Sequence, residues 1–90
     1  MIKPSIGRVC WYYATKADYD AGEQPFPALI ARVHSDSCIN IGFFDDNGIP
    51  GRQTSVRLMQ EGEADYPEYG FCTWMPFQVG QQKAQSAAAS

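Results

Sequence analysis

Short segments of alternating or β-branched residues, each followed by a turn signal, constrain this chain more than any other feature. They cover residues 7–13, 28–34, 38–44, 54–60 and 69–74. Each is too short for a helix that buries one face, whereas an alternation with period 2 is typical of a half-buried strand. The sequence therefore predicts five short strands.

The segments between these strands predict turns and loops. Ser35, Asp36 and Ser37 predict a tight turn that joins the second and third strands in a hairpin, and 45–48 (DDNG) predicts a second turn, because Asn and Gly tolerate positive φ. The long segment 14–27 contains Gly22 and two prolines, so we expect a loop with a helical turn over 16–21. We expect 49–53 to be irregular.

The alternation also assigns faces to the strands. We expect Ile39, Ile41 and Phe43 to share one face of the third strand, and Val56 and Leu58 to point inward. On the second strand, Leu29, Ala31 and Val33 alternate with Ile30, Arg32 and His34, and we assign the set that contains Arg32 to the outside. On the first strand we assign Arg8, with the parity of Cys10 and Tyr12, to the outside.

Five short strands without a long helix favour an all-β fold, a small antiparallel five-stranded SH3-like barrel in which closure hides the strand edges. An open meander is the alternative. The barrel occupies residues 1–79 as a single domain, and 80–90, rich in Gln, Ala and Ser, are expected to form a disordered tail.

Charge and composition exclude several classes of partner. The net charge of −3 disfavours binding to polymeric nucleic acid, because that affinity comes mainly from Lys and Arg. No apolar run approaches the roughly 20 residues of a membrane span, and the first residues do not resemble a signal peptide. Three cysteines cannot all pair within one chain, which favours reduced thiols. We expect a protein of the cytoplasm without membrane contact.

No pattern of residues predicts catalysis, a metal or a cofactor. His34 is the single histidine and has no nucleophile motif around it. Cys10, Cys38 and Cys72 lack the CxxC spacing of zinc sites, and DDNG lacks the remaining acidic positions of a calcium loop. The sequence therefore favours a protein that is not an enzyme and needs no cofactor.

A resemblance adds to this interpretation. The order GRVCWYY, PALIARV, INIGFFDDNG, TSVRL and WMPFQ, which covers about Ile6 to Gln78, resembles a group of small proteins of tailed bacteriophages and prophages. Some phage proteins of this size inhibit bacterial immunity, including sponges that sequester nucleotide-derived immune signals. The resemblance thus implies a phage protein acting in the host cytoplasm.

Arginines and aromatic rings supply the candidate ligand-binding residues. Guanidinium groups bind phosphate oxygens in pairs of hydrogen bonds, and a purine stacks on flat rings. The first strand contributes an arginine and an indole, the outer parity of the second and fourth strands contributes further cations, and the segment after the last strand contributes two rings. The predicted set is Arg8, Trp11, Arg32, His34, Arg52, Thr54, Arg57, Trp74 and Phe77.

The leading hypothesis is a phage anti-defence protein that binds a nucleotide-like small molecule, a cyclic oligonucleotide or an ADP-ribose type, between the protomers of a homo-oligomer. Clefts between subunits suit a chain too small to enclose a deep cavity. The alternative is a protein-binding module, either a virion assembly factor or a direct inhibitor of a host protein. It would act through the patch from Trp74 to Phe77 or through the acidic loops 18–23 and 61–68.

Overall fold

Five strands close into a small barrel. The computed structural model describes residues 1–81 of the chain. The elements are β1 (Val9–Thr15), α1 (Lys16–Asp20), β2 (Phe26–Ser35), β3 (Cys38–Phe44), β4 (Pro50–Met59) and β5 (Tyr69–Thr73), followed by helical turns over 76–81. The strands are neighbours in chain order, and β5 pairs back with β1. The predicted all-β five-stranded barrel is confirmed, and the open meander is excluded.

One strand pair departs from the predicted antiparallel arrangement. Four pairs are antiparallel, but β4 and β5 are parallel, from Arg57 opposite Phe71 to Met59 opposite Thr73. Residues 60–68 carry the chain back along the barrel before β5 begins, so the two strands run in the same direction. The antiparallel prediction is corrected at this pair alone.

The turns form as their residues predict. The Asp45 carboxylate accepts hydrogen bonds from the backbone N–H of Asn47 and Ile49, at 2.9 Å each, and Gly48 has a φ of +79°. This geometry joins β3 to β4. The turn after Ser35 joins β2 to β3 in the predicted hairpin. Thr15 caps α1, since its hydroxyl accepts from the N–H of Asp18.

The inward-facing side chains of the strands form a core that fills the barrel. Val56 and Leu58 are buried, which confirms that they point inward. Ile39 and Ile41 are buried and Phe43 packs against the core, so these three residues share one face as predicted. The other buried members of the core are Ile2, Cys10, Tyr12, Ala28, Ile30, Cys72 and Trp74.

Two face assignments were wrong. On β1 the parity of Cys10 and Tyr12 is the buried one, and Trp11 and Tyr13 lie on the outside, half-buried. On β2, Ile30 points inward and Leu29 is exposed, yet Arg32 still reaches the outside. A register shift between Ile30 and Arg32 inserts one extra residue and thereby changes the face of the strand.

The strand β4 begins earlier than the sequence predicts. Residues 50–53, expected to be irregular, pair with β3. A Cβ atom added at Gly51 would lie 2.7 Å from the Phe43 ring, so this position needs glycine for packing. A register shift between Ile39 and Ile41 places Thr54 and Ser55 opposite Asn40, and Ser55 has a φ of 53°.

A buried side-chain amide closes one end of the barrel. The Gln60 side-chain oxygen accepts from the Trp74 indole N–H at 3.1 Å and from the Ile2 N–H at 3.3 Å. Its amide nitrogen donates to the carbonyls of Ile2 and Asp36, at 2.9 Å each. Trp74 is therefore a sealed part of the core.

The segment after β5 turns Val79, and not Phe77, towards the barrel. Val79 packs against the core, whereas Phe77 is 68% exposed. Gln78 donates to the Val9 carbonyl at 2.8 Å, which fastens these turns to β1. The predicted disordered tail falls largely on 82–90, which lie outside the described residues. Within residues 1–81 no helix is long and apolar enough to cross a membrane.

Candidate functional site: an aromatic groove outside the barrel

A groove of about 520 Å³ lies on the outer face of β4, β5 and β1. Its floor is one row of the sheet, in which Met59 lies opposite Thr73 and Thr73 lies opposite Trp11. The segment 60–66 and the turns 76–80 form its walls. We call this concavity the aromatic groove.

Tyrosine rings form the wall nearest α1. Tyr13 and Tyr19 meet edge to face, with ring centroids 5.1 Å apart, and Tyr19 stacks on Tyr66 at 4.7 Å. All three rings contact Phe71, which is fully buried although it belongs to the outer face. These contacts hold the rings in place before a ligand arrives, which lowers the entropy cost of binding.

The hydroxyl groups of Tyr19 and Tyr66 are 3.1 Å apart. Their hydrogen bond, with burial and the neighbouring tyrosines, raises the pKa of Tyr66 to about 12. The Tyr66 phenol is consequently neutral at physiological pH. The wall offers a partner apolar ring faces and hydroxyl groups.

Two carboxylates, and no cation among residues 1–81, also line the groove. Glu61 and Glu63 are lining residues, and Glu63 forms an ion pair with Arg57. The Gln60 backbone N–H, which donates to Glu63 at 2.8 Å, and the Arg57 guanidinium lower the pKa of that carboxyl group. Glu63 therefore stays ionised and fixes the start of the 60–66 segment.

The structure brings two of the predicted ligand-binding residues to this groove. Trp11 lies half-buried on its floor. Trp74 also borders it, but the indole is only 5% exposed, so the expectation that Trp74 stays near the surface is wrong. Phe77 is exposed as expected and does not line the groove.

The predicted arginines do not converge on the groove. Arg8 lies over the Trp74 ring, 5.4 Å from its centroid, and Arg57 pairs with Glu63. Arg32 and Arg52 are exposed on β2 and β4, where His34 and Thr54 are also found. A pocket that combines all these cations with the two indoles does not exist within one protomer.

Sequence reasoning missed most of the groove because segments distant in the chain build it. Trp11 was predicted to bind a ligand, and the acidic loops that contain Tyr19 and Glu63 were predicted as an alternative interaction surface, but nothing joined them to each other or to Met59. No local pattern could have joined them, since the parallel pairing of β4 with β5 creates the floor. The buried Phe71 is the signal that an outer face of the sheet is covered.

The cysteines do not form a metal site with His34. Cys10 and Cys72 lie in the core, whereas His34 is exposed on β2. Among residues 1–81, no three His, Cys, Asp or Glu side chains come together in a way that would hold a metal ion.

Comparison with known proteins gives no further assignment. No protein-family model, curated protein or solved structure matches this chain.

Proposed function

We propose that this protein is a non-enzymatic binding module whose aromatic groove holds an extended, proline-containing segment of a partner protein. The observation that carries the proposal is the ring-lined concavity of about 520 Å³ built from Trp11, Tyr13, Tyr19 and Tyr66. Proline-rich segments adopt a preformed extended helix and dock in grooves lined by aromatic rings.

The lining fits such a segment better than it fits a nucleotide. Among residues 1–81 no arginine or lysine lines the groove, and two carboxylates do. Phosphate groups need cations or clustered N–H donors, and carboxylates beside them are repulsive. Proline rings and aliphatic side chains need only apolar faces with a few hydroxyl groups, which the tyrosines supply.

The groove supports some of the roles expected of a phage protein better than others. A segment of a virion protein or of a host protein could occupy the groove, so an assembly factor and a direct inhibitor of a host protein both fit the proposal. Sequestration of a nucleotide-derived immune signal is less well supported. The arginines and indoles predicted to bind such a signal lie apart in one protomer, so a second protomer would have to bring them together.

An array of proline-containing peptides, followed by calorimetry on the best binder, tests the proposal. Trp11→Ala should weaken the binding of that peptide about tenfold or more, because a tryptophan ring in a binding groove is a typical hot spot. Phe77→Ala is the matched control, since Phe77 is an exposed ring outside the groove. The Phe77→Ala variant should bind the peptide with an affinity within about twofold of that of the parent protein.

Circular dichroism establishes that both variants are folded. If no peptide on the array binds, or if the best binder loses as much affinity with Phe77→Ala as with Trp11→Ala, the groove is not the binding site.

A further inference from the structure

Acidic and basic residues are separated in this fold. None of the ten acidic residues lies on a strand, whereas β2 and β4 carry Arg32, Arg52 and Arg57. Arg57 is neutralised by Glu63. Arg32 and Arg52 form no ion pair with any carboxylate among residues 1–81. A chain with a negative net charge thus presents two unpaired guanidinium groups on one face.

These two arginines flank a glycine on the central strand of that face. Arg52 lies opposite Gly42 on β3, and Arg32 lies opposite Asn40, two residues away on the same side of β3. Positions two apart on a strand are about 7 Å apart. Long side chains on either side of Gly42 are therefore able to reach a single anion above it.

The space above Gly42 is open. A Cβ atom added there would meet only the Gly51 carbonyl oxygen, at 4.0 Å. The position has no positive φ that would require glycine. Neither packing nor backbone conformation accounts for a glycine in the middle of this strand, where it costs stability.

Asn40 provides hydrogen-bond donors beside this opening. Its side-chain oxygen accepts from the Ser55 N–H at 2.8 Å and lies 3.0 Å from His34 Nε2. That orientation leaves the amide nitrogen, with two N–H groups, without a protein acceptor in the part of the chain that the structure describes. A phosphate oxygen is a suitable acceptor.

An apolar surface adjoins the same opening. Phe44 follows Gly42 by two residues on the outer face and is 46% exposed, and Leu29 lies opposite Gly42 and is 47% exposed. A planar base could stack on the Phe44 ring while its phosphates reach the guanidinium groups. Along this face the arginines and the Asn40 amide precede the Phe44 ring, which matches the sequence of phosphates and base in a nucleotide.

We propose that the outer face of β2, β3 and β4 around Gly42 binds a nucleoside polyphosphate. Its phosphates contact Arg32, Arg52 and Asn40, and its base packs on Phe44. The site shares no residue with the aromatic groove, so this proposal stands or falls independently of the peptide-binding function.

A nuclear magnetic resonance titration with ATP, tripolyphosphate and adenosine as separate probes tests the site. ATP should give saturable amide shifts around Gly42. Arg32→Gln and Arg52→Gln should each weaken ATP binding about fivefold. Lys16→Gln is the charge-matched control, because Lys16 pairs with Asp20 on α1, and it should change the affinity by less than about twofold.

Gly42→Val separates ligand binding from stability. Valine suits a strand and has room here, so the variant should remain folded and no less stable while ATP binding is lost. Phe44→Ala should remove the preference for ATP over tripolyphosphate. The proposal is overturned if ATP gives no saturable shifts up to about 10 mM, if Lys16→Gln weakens binding as much as Arg52→Gln, or if Gly42→Val binds normally.

Discussion

Gln60 connects three parts of the chain through one side chain, and its replacement should be costly. Gln60→Leu leaves the Trp74 indole N–H, the Ile2 N–H and two carbonyls without their partner in a buried place. We expect a loss of about 3 kcal/mol in the free energy of unfolding, measured by urea denaturation. The exposed Gln53→Leu should change it by less than about 0.5 kcal/mol. Equal effects would contradict the role of Gln60.

The thiols should differ in reactivity because of their surroundings. Cys10 and Cys72 are buried and hydrogen-bonded to each other, and that bond, together with burial, raises the pKa of Cys72. Cys38 is partly exposed. A thiol-specific reagent should therefore modify Cys38 rapidly in the native protein, and Cys10 and Cys72 only in denaturant. Rapid modification of all three would show that the core is open.

Tyr66 should make the fold sensitive to alkaline pH. Its pKa is raised to about 12, so its hydrogen bond with Tyr19 contributes stability below the ordinary tyrosine pKa near 10. That contribution should be lost as the pH rises through about 12. The free energy of unfolding of the Tyr66→Phe variant should decrease less steeply between about pH 10 and 12 than that of the parent protein. An unchanged slope would exclude this coupling.

Within the strand elements, the bulge in β4 places a specific demand on one residue. Ser55 adopts a φ of 53°, which a β-branched side chain tolerates poorly. Ser55→Val should lower the free energy of unfolding by about 1.5 kcal/mol, whereas Ser55→Gly and the neighbouring Thr54→Val should change it by less than about 0.5 kcal/mol. Thermal and urea denaturation measure these differences. A harmless Ser55→Val would mean that the bulge is absent.

The elements that could be predicted from the sequence are those that local residues determine. The hairpins follow from Asp45 to Gly48 and from the turn after Ser35, and the inward faces of β3 and β4 follow from a clear contrast between apolar and polar positions. On β1 both faces are apolar, so alternation gave no contrast and the wrong face was chosen. The bulge in β2 puts Ile30 inside and Arg32 outside although the two residues share one parity, and no short pattern reveals this.

Across the whole molecule, the candidate site depends on contacts between distant segments. The parallel pairing of β4 with β5 places Met59 beside Thr73 and so creates the groove floor. The rings Tyr19 and Tyr66 meet although they are 47 residues apart. The sequence contains many aromatic residues but does not indicate which of them remain accessible. The predicted homo-oligomer stays a prediction, which sedimentation equilibrium can test.

The most direct test of the binding function maps the contact surface of the best proline-containing peptide by amide chemical shifts. We expect the largest shifts at Trp11, Tyr13 and Thr73, on the outer face of β1 and β5, with small shifts around Gly42 on β3. Shifts confined to β2, β3 and β4, or shifts that Trp11→Ala leaves unchanged, would contradict the assignment of the aromatic groove as the peptide site.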